Sequence, residues 1–157
     1  MIIIADSSAL IALAYCQGLD LLTKLYNDIK VPRAVFNEVT ETGKIFSDTL
    51  AKFLEGRVEI IDIDNWVLAV SDLGRGEIEA MALYKQISAD TLLIDDRRAR
   101  LIAEYNDIHC IGTLGLLLIA KQKGEIQSVT PYLNNLRNSP VYFTEPLLEK
   151  VSKLANE

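Results

Sequence analysis

Residues 2–16 read IIIADSSALIALAYC, and this stretch decides the fold class. The run IIIA at 2–5 is short, apolar and rich in β-branched side chains, which favours a buried strand that ends at Asp6. From Ser7 onward the apolar residues fall on every side of the helical repeat, as they do in a helix packed in a protein interior. The stretch therefore predicts a strand, a turn at Asp6 and a buried helix.

The same alternation of short apolar runs and helical repeats continues along the chain. Further strands are predicted at 29–31, 58–63, 91–94 and 108–112, and helices at 19–26, 33–41, 45–55, 77–87, 97–106, 113–123, 128–138 and 145–155. Strands that alternate with helices imply parallel pairing through helical crossovers. We expect an α/β fold, a three-layer sandwich with a central parallel sheet flanked by helices, formed by residues 1–157 as a single domain.

The composition restricts the class of protein. Half of the residues are apolar, and the net charge is −6 with a pI near 4.9. This charge argues against a broad basic face for nucleic acid, because phosphate affinity comes largely from Lys and Arg. It is compatible with a local carboxylate cluster, since bound cations reverse the local field. A single histidine excludes a Cys/His zinc site.

The apolar segments also predict the cellular compartment, the absence of a membrane span and the oligomeric state. The N-terminal segment lacks a basic region before its apolar run, and no apolar run approaches the roughly 18 residues of a membrane span. Cys16 and Cys110 lie in apolar segments, as buried thiols of a reducing compartment do. We expect a cytoplasmic protein without a membrane partner. Leu and Ile side chains in helices 19–26 and 113–119 that look exposed predict a homodimer.

Two aspartates directly follow predicted strands. The carboxyl ends of parallel strands meet at one edge of a sheet, so Asp6 and Asp95 are expected roughly 5 to 10 Å apart. Two carboxylates this close are stabilised by a shared divalent cation such as Mg²⁺ or Mn²⁺. The alternative is that each aspartate caps the helix that follows it. The residues alone leave both interpretations open.

Other charged residues are candidates for the same edge. Glu38 lies in the predicted helix 33–41, where an acid that faces solvent is the alternative. Glu77 opens the helix 77–87, where it also fits simple compensation of the helix dipole. Arg97 and Arg98 belong to the densest basic group of the chain and are either a solvated helix face or contacts to phosphate oxygens.

Four blocks of the sequence, taken together, resemble the signature of the PIN-domain superfamily. The blocks are DSSALIAL, VPRAVFNEV, GRGEIEAMAL and LLIDDRRAR. Within that superfamily they are similar to a small prokaryotic, DUF3368-like branch with the blocks DTSPLIAL, GEAEA and LLDDRRAR, close to VapC-type toxins. The resemblance extends over nearly the whole chain. It implies a metal-dependent endoribonuclease, as the toxin of a type II toxin–antitoxin pair.

The resemblance also implies which residues form the site. Its four acids correspond to Asp6, Glu38, Glu77 and Asp95, with Asp96 as the neighbouring candidate for the fourth. The third acid is Glu where many PIN nucleases have Asp, so a longer side chain must reach the metal. These acids are implied to be both the catalytic residues and the metal ligands.

Further roles follow from the same resemblance. Ser8 supports the first acid by hydrogen bonding, and Arg97 or Arg98 positions the scissile phosphate. One or two Mg²⁺ or Mn²⁺ ions would activate water, polarise the phosphoryl group and stabilise the leaving oxygen. The implied partners are single-stranded or structured RNA and a small antitoxin protein.

Two other functions compete with an active ribonuclease. A non-catalytic binding or regulatory module would keep the PIN fold without turnover. A phosphotransfer enzyme with an aspartyl nucleophile is a third possibility on a doubly wound sheet. Haloacid-dehalogenase-like phosphatases place a second Asp two residues after the first, and Ser8 occupies that position here, which counts against this class.

Overall fold

The computed structural model describes residues 1–64 and 72–157. The strands in these ranges are β1 Ile2–Ala5, β2 Asp28–Pro32, β3 Val58–Glu59, β4 Thr91–Leu93 and β5 Cys110–Ile111. The helices in the same ranges are α1 Ser7–Tyr15, α2 Asp20–Leu25, α3 Arg33–Val39, α4 Ser47–Phe53, α5 Arg75–Gln86, α6 Arg97–Tyr105, α7 Thr113–Gln122, α8 Thr130–Arg137 and α9 Glu145–Leu154.

The strands form one parallel sheet in the order β3-β2-β1-β4-β5. The chain builds one half of the sheet outward from β1, and then returns to place β4 on the other side of β1. This reversal creates a crevice beyond the carboxyl ends of β1 and β4, the place where open α/β sheets bind ligands. The predicted central parallel sheet flanked by helices is confirmed.

Apolar side chains cover both faces of the sheet. Ile3 and Ile4 are both fully buried, and because neighbouring strand residues point to opposite faces, they belong to two different cores. The larger core contains Ile3 with residues of α1, α2, α7, α8 and α9. The smaller core contains Ile4 with residues of α5 and α6. The protein therefore has three layers, helices, sheet and helices.

Helix α1 is buried along most of its length, as its sequence predicts. Leu10, Ala12 and Leu13 are fully buried, and the half-buried Ile11 packs against the same core. A helix surrounded by apolar neighbours holds the residues before it, at the end of β1, in a defined position. No helix of the described residues is both long and apolar enough to cross a membrane.

The predicted strand at 58–63 is shorter in the structure, where β3 is Val58–Glu59. Its partner β2 ends at Pro32, which pairs with Glu59, and the chain then enters α3. Residues after Glu59 consequently have no strand to pair with, and Ile60 is 78% exposed. The alternating pattern VEIIDI was therefore a wrong indication of strand length.

The exposed leucines expected in α2 and α7 are also not found. Leu21 and Leu22 of α2, and Leu116 and Leu117 of α7, are fully buried, because α2 packs on β2 while α7 packs on α1 and α9. Exposed apolar side chains occur on α6 instead, where Leu101 is 58% exposed. Of the two cysteines, Cys16 is buried and Cys110 is half-buried.

The burial of α1 leads to a test of stability. Leu13→Ala removes a fully buried side chain, so we expect a loss of about 2 to 5 kcal/mol in the free energy of unfolding. Ile60→Ala, at a side chain that is 78% exposed, is the control and should change it by less than about 0.5 kcal/mol. Urea denaturation measures both. Similar losses in the two variants would contradict the assignment of α1 to the core.

Candidate active site

Asp6 lies at the end of β1, in the crevice of the sheet. Its backbone N–H donates to Leu93 O at 2.9 Å, which continues the pairing of β1 with β4. Asp6 occupies the N-cap position of α1, but its side chain accepts no capping hydrogen bond. Its carboxylate is almost fully buried, and Ser8 Oγ donates to Oδ2 at 3.1 Å. The expected supporting hydrogen bond from Ser8 is therefore present.

Three of the four predicted acids line one cleft. Asp6, Glu38 and Glu77 reach it from the end of β1, from α3 and from the first turn of α5. The cleft has a volume of ≈ 590 Å³. Its other lining residues are Ser7, Ser8, Ile11, Ala34, Gly74, Arg75 and Gly76.

Glu38 is oriented by Ser7. Ser7 Oγ donates to Glu38 Oε2 at 2.7 Å, and Ser7 itself is buried. Gly76 allows this arrangement, because a Cβ at that position would lie 3.2 Å from Glu38 Oε2 and 3.2 Å from Val35 Cγ2. Helices α3 and α5 can therefore approach closely on the side where the acids meet.

Glu77 has two structural relations. It lines the acidic cleft, and its Oε2 accepts a hydrogen bond from Gly74 N–H at 2.9 Å. The second contact is a capping interaction with the N-terminus of its own helix. Glu77 therefore lines the cleft and also caps its own helix, although the sequence presented these two roles as alternatives.

The negative charges of the cleft act on Asp6. Burial is the main reason why its pKa rises from 3.8 to about 6, and the nearby Glu77 and Glu38 carboxylates raise it further. The Ser7 N–H and the Ser8 hydroxyl lower it and offset part of this effect. A carboxylate in such surroundings is favoured in its charged form when a cation binds beside it.

Asp95 faces away from this cleft. Its Oδ1 accepts from Thr113 N–H at 2.7 Å, and its Oδ2 accepts from Thr113 Oγ at 2.6 Å. A Cβ on Gly112 would lie 2.9 Å from Asp95 Oδ1, so a residue without a side chain is needed there. Burial raises the pKa of Asp95, while Thr113 and the Arg100 guanidinium lower it. Asp95 lines a second cavity, described below.

The remaining predicted residues lie around the start of α6. Asp96 is the N-cap of α6, and its Oδ1 accepts from Ala99 N–H at 2.7 Å. Arg98 forms an exposed ion pair with Asp72 at 2.8 Å, and Arg97 is exposed. None of the three predicted residues, Asp96, Arg97 and Arg98, lines the acidic cleft or the second cavity.

Comparison with known protein families agrees with this geometry. A family described as "DUF3368: PIN domain" matches residues 2–157. The chain belongs to the PIN-domain family. No match was found among curated proteins or among solved structures. This match confirms the superfamily that the four sequence blocks suggested. PIN domains are in general nucleases that use divalent metal ions.

The sequence interpretation missed one buried acid of this PIN domain. Glu79 is only 6% exposed; its Oε2 accepts from Ala34 N–H at 3.0 Å and its Oε1 from Arg75 Nε at 2.7 Å. It joins the start of α3 to the start of α5, and so fixes the two helices that carry Glu38 and Glu77. The signal in the sequence that could have indicated a buried Glu79 is its position next to Ala80, on the apolar side of α5.

The donor set fits a hard divalent cation in its chemistry. Carboxylate oxygens are the ligands that Mg²⁺ and Mn²⁺ prefer, and water completes the shell in such sites. Two further carboxylates, those of Glu77 and Glu38, lie near Asp6, and Arg75, which lines the same cleft, is paired with Glu79. Within 1–64 and 72–157, no three His, Cys, Asp or Glu side chains are close enough together to form a complete metal site.

The raised pKa of Asp6 predicts how stability depends on pH. Between pH 3.8 and about 6 the folded protein holds the Asp6 proton more tightly than the unfolded chain, so stability falls as the pH rises through this range. In metal-free buffer, Asp6→Asn should be more stable than wild type at pH 7.5, by at most about 3 kcal/mol. The gain should vanish near pH 4.

Urea denaturation across this pH range measures the effect. Asp48→Asn, at an exposed acid of α4, controls for the general loss of one negative charge. A gain for Asp6→Asn that did not change with pH, or that matched the control, would contradict the burial of a charged Asp6.

The contact between Asp95 and Thr113 gives a second prediction. Thr113→Val keeps the shape of a fully buried side chain but removes the hydroxyl that donates to Asp95, so we expect a loss of about 1.5 to 3 kcal/mol in the free energy of unfolding. Thr113→Ser keeps the hydroxyl and should lose clearly less. Equal losses in the two variants would mean that the hydroxyl does not stabilise the fold.

Proposed function

We propose that this PIN domain is a metal-dependent endoribonuclease that hydrolyses phosphodiester bonds in single-stranded or structured RNA. The observation that carries the proposal is the meeting of Asp6, Glu38 and Glu77 in one cleft at the carboxyl edge of the sheet. Burial, together with the nearby Glu77 and Glu38 carboxylates, raises the pKa of Asp6, and a bound cation there would favour its charged form. The general nuclease activity of PIN domains supports the same reaction class.

Each residue of the cleft has a proposed role. Asp6 is the central metal ligand, and Glu38 and Glu77 complete the shell directly or through water. Bound Mg²⁺ or Mn²⁺ would supply activation of water and neutralisation of the phosphoryl oxygens. Ser7 holds the Glu38 carboxylate, and Ser8 holds that of Asp6, so both acids are oriented before a substrate arrives.

Asp95 is the proposed fourth acid, because it follows β4, the strand that neighbours β1. It is preferred over Asp96, which is exposed at the start of α6. Both Asp95 oxygens accept hydrogen bonds from Thr113, so coordination in the acidic cleft would require the Asp95 side chain to turn. Arg97 and Arg98 are the proposed phosphate contacts at the exposed start of α6. Of the two, Arg97 is the better placed, since Arg98 is paired with Asp72.

We also propose the toxin role in a type II toxin–antitoxin pair, in the cytoplasm, with a small antitoxin protein as partner. A gene for a small protein next to the gene of this chain would support this role. The leucines of α2 and α7 on which the expected homodimer was based are buried, so its contact surface must lie elsewhere. Leu101 and Tyr105 lie one turn apart on α6 and are 58% and 88% exposed, which makes α6 the better candidate for a dimer surface.

The second candidate function is a non-catalytic PIN-fold binding module. It is favoured by the finding that, within 1–64 and 72–157, no three His, Cys, Asp or Glu side chains are close enough together to hold a metal ion. Such a module would bind RNA or a partner protein without cleaving the RNA.

Cleavage of a labelled single-stranded RNA in the presence of Mn²⁺ tests the main proposal. Asp6→Asn and Glu38→Gln should each reduce the rate by about 100-fold or more, since each removes charge from the cleft. Asp95→Asn tests the fourth acid. Glu41→Gln, an exposed acid just beyond α3, is the matched control and should cleave like wild type.

Thermal unfolding with and without Mn²⁺ separates binding from catalysis. A ligand that binds only the folded state must raise its stability, so Mn²⁺ should raise the Tm of wild type and not that of Asp6→Asn. Equal cleavage in all variants would assign the activity to another site or to a contaminant. An unchanged Tm of wild type would refute metal binding.

A further inference from the structure

The second cavity lies beside the acidic cleft, at the ends of β4 and β5. It has a volume of ≈ 520 Å³, within the usual range for small-molecule sites. Ile94 and Asp95 bound it after β4, and Ile111, the last residue of β5, bounds it together with Gly112. Since β4 is the neighbour of β1, the two cavities lie next to each other along the same edge of the sheet.

The interior surface of this cavity is mainly apolar. Leu114 and Val151, which are 7% and 4% exposed, form part of its surface together with the half-buried ring of Phe143. Leu147 and Leu154 of α9 are 43% and 62% exposed and continue the apolar surface outward. An apolar cavity with one aromatic ring in its lining is a suitable place for a nucleobase, because bases stack on such rings.

Two cations line this cavity. Arg100 comes from α6, and Lys150 comes from α9. Arg100 donates through Nε to Glu104 at 2.8 Å and through Nη2 to Cys110 O at 3.5 Å, and no hydrogen bond of its Nη1 is found among the described residues. Over the same ranges, no carboxylate oxygen lies within 4.0 Å of Lys150 Nζ.

Asp95 is the one acid that lines the cavity, and Arg100 is ion-paired with Glu104 of its own helix, so Lys150 is the cation with no ion-pair partner found among the described residues. Both oxygens of Asp95 accept hydrogen bonds from Thr113, and the Arg100 guanidinium further stabilises the charged form. In an acidic protein of net charge −6, a cavity that combines two cations with an apolar floor is complementary to a phosphodiester carrying a base.

We propose that the second cavity binds one nucleotide of single-stranded RNA, next to the phosphate that lies in the acidic cleft. Its base stacks against Phe143 and the apolar floor, and its phosphate lies between Arg100 and Lys150. This inference rests on the proposed function, since it extends the path of the substrate from the acidic cleft to the neighbouring cavity. The alternative occupant of this cavity is a segment of a partner protein. The two cations, Arg100 and Lys150, favour RNA over a protein segment.

Fluorescence anisotropy with a labelled single-stranded RNA octamer tests the proposal. The full chain carries Asp6→Asn, and the buffer contains EDTA, so that binding is measured without cleavage. Phe143→Leu keeps apolar volume but removes the ring, and should weaken binding about tenfold. Lys150→Gln should weaken it about threefold and lower the slope of log affinity against log salt by about 1.

Two matched variants control for general effects. Tyr142→Leu removes the neighbouring aromatic ring, which is 85% exposed and lies outside the cavity. Lys153→Gln removes an exposed cation of the same helix, also outside the cavity. Both should bind RNA within about twofold of the parent protein. Circular dichroism and the Tm of each variant confirm that it is folded.

The outcomes separate this inference from the proposed function. Unchanged affinity in Phe143→Leu and Lys150→Gln, or equal losses in the two controls, would overturn the nucleotide site even if wild type cleaves RNA. A segment of a partner protein would then be the remaining candidate for the occupant of the cavity. Selective loss of binding in the two cavity variants supports the site, and does so even if wild type shows no cleavage with Mn²⁺.

Discussion

The parallel pairing of β1 with β4 is the interaction on which the rest of this structure depends. It continues past the end of β1, where Asp6 N–H donates to Leu93 O. Ile3 and Ile4 bury this pair of strands from both faces, so the edge of the sheet at Asp6 has little freedom to move. Every candidate acid of the PIN domain is positioned relative to this edge, either at a strand end or on a helix that packs against it.

Like charges are the main physical constraint on the acidic cleft. The fold tolerates three neighbouring carboxylates because each accepts a hydrogen bond from a nearby donor: the Ser8 hydroxyl for Asp6, the Ser7 hydroxyl for Glu38, and the Gly74 N–H for Glu77. Burial adds a desolvation penalty for the charged form of Asp6, and the pKa of Asp6 is therefore raised. These hydrogen bonds offset part of the repulsion among the three carboxylates, and a bound cation would offset more of it.

Two chemically different cavities lie at the same edge of the sheet. One is the cleft lined by Asp6, and the other is an apolar cavity lined by Asp95, Arg100 and Lys150. Thr113 fixes the Asp95 carboxylate toward the second cavity, and Gly112 leaves room for it. The same edge of the sheet therefore combines a cleft of carboxylates with an apolar cavity lined by two cations.

The sequence by itself determined the α/β class, the order of the elements and the strand-end positions of Asp6 and Asp95, because these follow from local periodicity and from the ends of apolar runs. Only the tertiary structure decided which way the side chains face. Asp95 turns to Thr113, 18 residues away in the chain, and Glu79 reaches Ala34 across 45 residues. Likewise β3 is short because its partner β2 ends. Such outcomes depend on partners that are distant in sequence, and no local pattern encodes them.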